Sequence, residues 1–144
     1  MSSPAHVHIE DLAVGRAIPT VVRNASRVQL FLYSAATWNP HRIHYDVDYA
    51  RFEGHPDVIV HGPLQGAWLS QYVTDWAGPA GRIVSLSWQN RASALPETDY
   101  ELRGLVTEIS DDVVSLRVWE QTVEGVVLMP GEASVRLPRR PVSP

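Results

Sequence analysis

Polar and titratable side chains crowd one stretch of this 144-residue chain, from Tyr33 to Leu64. It begins Tyr33-Ser34-Ala35-Ala36-Thr37-Trp38-Asn39-Pro40-His41-Arg42-Ile43-His44-Tyr45-Asp46 and closes Val58-Ile59-Val60-His61-Gly62-Pro63-Leu64. Four of the six histidines fall here, at positions 41, 44, 55 and 61. His44 is the candidate acid/base, because a histidine near its normal pKa can take a proton from water and return it within one cycle. A lone histidine is ordinarily structural. What sets His44 apart is its company of Asn39, His41, Asp46 and His61. Asn39 can orient a water through its amide but is no base at ordinary pH. Asp46 is open to three readings: a second base, a partner fixing a histidine tautomer, or a helix cap, with the cap favoured. Arg42 has the planar fork that suits a substrate carboxylate or phosphate, and it reads equally well as a solvated arginine.

The second chemical feature is Gly62 before Pro63. A helix N-terminus presents unpaired N–H groups and the positive end of its dipole. Gly62 has no side chain to block approach, so its N–H can face a developing oxyanion, such as a thioester carbonyl becoming an enolate. Taken alone, Gly62 reads as an ordinary helix cap. His41 and His44 would suit a zinc pair only on a helix, and Ile43 and Asp46 complete no ligand set, so no metal is expected. There is no G-x-S-x-G elbow for a serine nucleophile and no phosphate-binding glycine loop.

These residues need elements to hold them. Asn24 or Ser26 can cap a helix carrying Val28, Leu30, Phe31, Leu32 and Ala35, ending near Thr37 before Pro40. Val47 to Phe52 suits one or two helical turns capped by Asp46 or Asp48, broken at Gly54-His55-Pro56. The clearest helix is Pro63 to Trp76, with Leu64, Trp68, Tyr72 and Trp76 at i+4 intervals and Gly78-Pro79 after it. Upstream, Ile9 to Arg16 reads as a short segment and Pro19 to Arg23 as an edge strand; Met1 to Val7 reads as loose. From Arg82 the period changes to two, predicting strands at 82–92, 98–109, 113–122 and 126–137 with turn chemistry between them. That spacing predicts an antiparallel meander, and 138–144, with three prolines, should be irregular. The layout is α+β in a single domain spanning 1–144, its sheet wrapped around the helix from about Pro63 to Trp76.

The bulk numbers narrow the class. Hydrophobic content is 44% and net charge −4, and no basic stripe runs along the chain, so no nucleic-acid partner is expected. Charged residues make up 19%, below the common ~25%, which fits a surface partly buried against a partner. The chain has no cysteine, which excludes disulfides and thiolate metal sites. No apolar run approaches the ~18 residues of a membrane helix, and no signal peptide is recognised at the N-terminus. The expectation is a cytoplasmic protein that does not enter the membrane.

The series Tyr33-Ser34, Asn39, Ile43-His44-x-Asp46, Ala50, Gly54 and His61-Gly62 resembles the signature of MaoC-like (R)-specific enoyl-CoA hydratases, proteins of the hotdog fold. The match covers roughly Tyr33 to Trp76. The family pattern is Asp-x-Asn-Pro-(Ile/Leu)-His. Aligned on Ile43-His44, it puts Asn39 on the acidic position and His41-Arg42 on the Asn-Pro pair. The stretch is similar to the mesaconyl-C4-CoA hydratase-like branch, where asparagine likewise replaces the aspartate. Gln71-Tyr72-Val73-Thr74-Asp75-Trp76-Ala77-Gly78 is similar to the small subunit of steroid side-chain enoyl-CoA hydratases.

The resemblance implies reversible addition of water to a 2-enoyl thioester, with no cofactor beyond the CoA thioester itself as substrate. It implies that Gly62 polarises the carbonyl, that His44 helped by Asn39 activates water, and that Val60, His61 and Leu64 line the acyl site; Arg42, by its own chemistry, is taken as a further substrate contact. It also implies a homodimer or higher oligomer, or a heteromer with another MaoC-like chain. The competing expectations are a half-catalytic acyl-CoA-binding subunit and, last, a hotdog thioesterase.

Overall fold

The computed structural model describes residues 7–141. Of the segment expected to be loose, Met1 to Val7, residues 1–6 lie outside them, as do residues 142–144 of the expected irregular tail 138–144. Five antiparallel strands form one sheet: β1 (Ala17–Arg23), β2 (Arg82–Trp88), β3 (Tyr100–Ser110), β4 (Val113–Thr122) and β5 (Val127–Arg136). The long helix α3 (Gly62–Ala77) touches all five. This is the α+β hotdog layout, the sheet wrapped around its helix.

α3 forms where the apolar spacing demanded it. Pro63 sits in its first turn, where a missing N–H costs nothing, and Gly78 ends it at φ 71°, a left-handed conformation suited to glycine. Leu64, Trp68, Leu69, Tyr72, Val73 and Ala77 are buried against the sheet. They meet the inward residues Leu102, Val106, Val114, Leu116, Val118, Ala133 and Val135. Complete burial of a side chain such as Leu69 or Val73 contributes about 1.5–3 kcal/mol.

The sheet order is β1-β3-β4-β5-β2, which corrects the meander expectation. Only β3, β4 and β5 follow one another as neighbours; β2 pairs with β5 at the far edge. The reason is α3 itself. Leaving the helix at Gly78, the chain enters the sheet at one edge, then crosses through residues 89–99 to start β3 beside β1.

Between β1 and α3 the chain makes an arm outside the sheet. α1 (Arg27–Ala36) is capped by Ser26, whose Oγ accepts from Gln29 N–H at 3.1 Å. α2 (Val47–Phe52) is capped by Asp46, whose Oδ1 accepts from Tyr49 N–H at 3.1 Å. A 3-10 turn at Arg42–His44 joins them. Phe31, Leu32, Trp38 and Phe52 on this arm are all more than half exposed.

Candidate active site

The arm and the start of α3 meet at two histidines. His44, at the end of the 3-10 turn, is buried, and its Nδ1 lies 2.8 Å from the Ile59 carbonyl oxygen. A carbonyl only accepts, so Nδ1 carries the hydrogen. Neutral His44 therefore presents Nε2 as a free lone pair. Burial lowers its pKa below the ordinary histidine value; the bond to Ile59 opposes this, while the nearby His41 and His55 add to it. The turn is fixed on the same strand of chain, because Ile59 N–H donates to Ile43 O at 3.0 Å.

His61 has no exposed surface and precedes the first helical residue of α3. Its ring stacks on that of His44, with centroids 3.7 Å apart and planes 19° from parallel. Its Nε2 lies 2.8 Å from Ser34 Oγ, and the Tyr33 ring lies 4.7 Å away, tying α1 to the same point. Burial, helped by His44, pushes the His61 pKa down to about 4, so His61 is neutral near pH 7. Gly62 follows directly, and its N–H has no hydrogen-bond partner among the described residues.

The other expected residues are distributed unevenly. Asn39 is partly exposed; its Oδ1 accepts from His41 N–H at 3.2 Å, and no hydrogen bond joins it to His44. With Phe31, Ala35, Trp38 and Tyr45 it borders an apolar groove on the arm. Arg42 directs two nitrogens at Asp46 Oδ2, at 3.0 and 2.7 Å, and covers the Tyr49 ring. Of the three readings of Asp46, the structure supports the cap, with Arg42 as its ion-pair partner. Val60 and Leu64 are core residues flanking the His61-Gly62 corner, and Val60 N–H donates to Ala94 O at 2.8 Å.

Sequence reasoning missed three neighbours of this corner. Asn90 and Trp88, at the end of β2, lie against Gly62 and Gly66: a Cβ built on Gly62 would fall 1.8 Å from Asn90 Nδ2, and one on Gly66 2.3 Å from the Trp88 ring. The signal was a pair of glycines one helical turn apart, in a helix otherwise rich in large residues. The third is Glu120 on β4. It is fully buried and accepts from Gln65 Nε2 at 3.0 Å. Burial pushes its pKa up to about 7, and its Oε2 has no partner. A glutamate at the fourth inward position after Val114, Leu116 and Val118 was visible as an outlier in the strand pattern.

With this geometry established, the chain can be set beside known proteins. A family model for hydroxyacyl-thioester dehydratase type 2 (Htd2) matches residues 11–96. A mesaconyl-C(4)-CoA hydratase of Chloroflexus aurantiacus is 45% identical over 90 residues, covering 62% of this chain and 31% of that protein. The chain thus spans about a third of that relative's length. The beta subunit of a 3-oxo-4,17-pregnadiene-20-carboxyl-CoA hydratase of Mycobacterium tuberculosis is 26% identical over 105 residues, 73% of this chain and 81% of that one. Among solved structures, the R-hydratase PhaJ1 of Pseudomonas aeruginosa superposes with a TM-score of 0.83 at 20% identity, over 96% of this chain and 97% of the other.

Proposed function

The chain belongs to the hydroxyacyl-thioester dehydratase type 2 family, and from that premise we propose that it adds water reversibly across the double bond of a 2-enoyl-CoA. The observation that supports the reading is the His44–His61 stack: His44, its Nδ1 turned to a carbonyl, rests on the residue that precedes Gly62, whose N–H has no partner among the described residues.

In the forward direction, His44 Nε2 takes a proton from water as the water oxygen bonds to C3 of the substrate. The π electrons of the C2–C3 bond move into the thioester, and the carbonyl oxygen becomes an enolate oxygen. Gly62 N–H, at the positive end of α3, stabilises that charge. The His44 imidazolium then returns its proton to C2, restoring the carbonyl and leaving the 3-hydroxyacyl thioester. His61 stays neutral throughout, because a second imidazolium 3.7 Å away would oppose the first.

Asn39 enters this scheme as the amide that orients the attacking water, through an Nδ2 that no group among the described residues occupies. Val60, His61 and Leu64 form the acyl-side wall. Arg42 reaches an acyl carboxylate only by exchanging Asp46 for it. No cofactor takes part, and the reaction needs no redox or metal chemistry.

The partner expected is a second MaoC-like chain, a copy of this one or a relative. Support comes from β2, a sheet edge with an unpaired row of backbone groups and with Val84 more than half exposed. The relative called a beta subunit adds to that support. Sedimentation of the purified chain, alone and with a Val84→Lys variant, tests it; an unchanged dimer in Val84→Lys excludes this edge.

The activity is tested by incubating the protein with crotonyl-, mesaconyl- and longer enoyl-CoAs and following loss of the conjugated absorbance. Wild type should hydrate at least one, and His44→Ala should lose about 10²–10⁴-fold in kcat. Full activity in His44→Ala would sink the mechanism. Thiol release without hydration would point to the thioesterase instead.

A further inference from the structure

We propose that Asn90 supplies a second hydrogen-bond donor to the thioester oxygen, beside Gly62 N–H. The inference rests on the hydration reading and extends it to a residue outside the Tyr33–Leu64 stretch.

The side-chain amide of Asn90 fills the space a side chain at Gly62 would take. Nδ2 is its nearest atom to that position, at 1.8 Å, followed by Cγ at 3.0 Å and Oδ1 at 3.4 Å. The amide therefore turns its NH₂ edge toward the glycine. An asparagine acting as a helix cap does the opposite, offering its oxygen to the first free N–H groups. Asn90 makes no side-chain hydrogen bond among the described residues, so no protein group competes for its two N–H bonds. The Asn90 amide and the Gly62 N–H thus both lie at the positive end of a 16-residue helix. A third polar atom at the same corner is also unsatisfied: Nδ1 of the fully buried His61. Asn90 is exposed and Gly62 half-buried, so both N–H groups meet solvent and can pass to an oxygen that arrives from outside.

The backbone holds Asn90 there. Gln89 N–H donates to Pro130 O at 3.0 Å and Arg91 N–H to Leu128 O at 2.9 Å, so the segment continues along β5 after β2 ends. Trp88, two residues earlier, lies against Gly66 as Asn90 lies against Gly62. Two residues of extended chain advance about 6.7 Å and four of helix about 6 Å, so alternate strand positions keep pace with successive helical turns. The ring of Trp88 thus sets the spacing that puts the Asn90 amide at the helix start.

The test reads polarisation directly. The carbonyl band of bound [1-¹³C]butyryl-CoA, a saturated thioester that cannot be hydrated, is compared between wild type, Asn90→Ala and Asn90→Asp by difference infrared spectroscopy. Binding to wild type should lower the band frequency, and Asn90→Ala should move it back toward the solution value. In the hydration assay Asn90→Ala should lose about 10²-fold in kcat with KM and melting temperature little changed. Asn90→Asp keeps the shape without the donor and should be at least as slow. A carbonyl band and kcat unmoved in Asn90→Ala, or full activity in Asn90→Asp, overturn the proposal. So does a kcat loss matched by a fall in melting temperature with the band unmoved, which marks a merely structural residue. If wild type hydrates no enoyl thioester, the hydration reading fails, while the band still decides whether Asn90 reaches a bound carbonyl.

Discussion

His61 is the platform on which His44 rests: the two imidazoles stack at 3.7 Å, one from the arm and one from the corner that opens α3. Because His61 adjoins Gly62, the stack sets where His44, the proposed base, stands relative to the helix N–H. A flat ring at position 61 is what this requires, and its own basicity is not used. His61→Phe should therefore keep most of kcat, while His61→Ala should lose about 10- to 100-fold through lost positioning. Equal losses in the two variants, measured beside their circular dichroism, would exclude the platform role.

The pH profile follows from His44. Its folded pKa lies below the ordinary 6.5, and in the proposed mechanism the unprotonated form is the active one. The acid limb of log kcat/KM should then rise with pH to a plateau, with its midpoint below 6.5. An acid limb centred above 6.5 contradicts a buried His44 as the base.

Glu120 and His61 pull stability in opposite directions. Glu120 holds its proton more tightly folded than unfolded, so its favourable contribution is complete below about pH 4.5 and is lost as pH rises through about 7. His61 is depressed to about 4, so stability is lost on acidification from 6.5 toward 4. Glu120→Gln keeps a partner for Gln65 and cannot ionise. Urea unfolding should find it close to wild type at pH 5 and more stable at pH 8 by on the order of 2–3 kcal/mol. The loss on acidification should remain in the variant. A Glu120→Gln protein less stable than wild type at pH 8 would show that the carboxylate is favourably held.

The two glycines of α3 should respond differently to alanine. Gly66→Ala meets the rigid Trp88 ring at 2.3 Å, an overpacking that costs about 1–3 kcal/mol. Gly62→Ala meets only the tip of Asn90, so it should displace that amide and lower kcat with a smaller change in melting temperature. Combining Gly62→Ala with Asn90→Ala should recover the stability lost by the single change, since the clash has no second partner. Strictly additive destabilisation in the double variant would mean that the two residues do not meet.

Much of this was written locally in the chain. The i+4 stripe of α3, the caps at Ser26 and Asp46, the edge strand near Pro19 and the turns between the later strands are features of short range. The destination of β2 was not legible, because pairing with β5 rather than β3 depends on how the sheet closes round the helix. For the same reason Asn90 and Trp88 were invisible as neighbours of Gly62 and Gly66. For the candidate site the sequence offered His44, Asn39 and Gly62 as catalytic types and Arg42 as a substrate contact, without revealing that His61 stacks on His44 or that Asp46, one turn on, holds the Arg42 fork.

The arm that carries His44 packs differently from the rest. α1 and α2 rest mainly on the Arg42–His44 turn, and no strand is among their main neighbours. Around the stacked histidines the arm is closed by Ser34–His61, His44–Ile59 and Ile59–Ile43 hydrogen bonds. α3 and the sheet supply most of the apolar core, to which the arm adds Leu30 and Ala50. Heating should release the smaller set of contacts first. Thermal inactivation is then expected to precede thermal unfolding: catalysis fades while the sheet is intact and returns on cooling, as the base swings away from a helix end that has not moved.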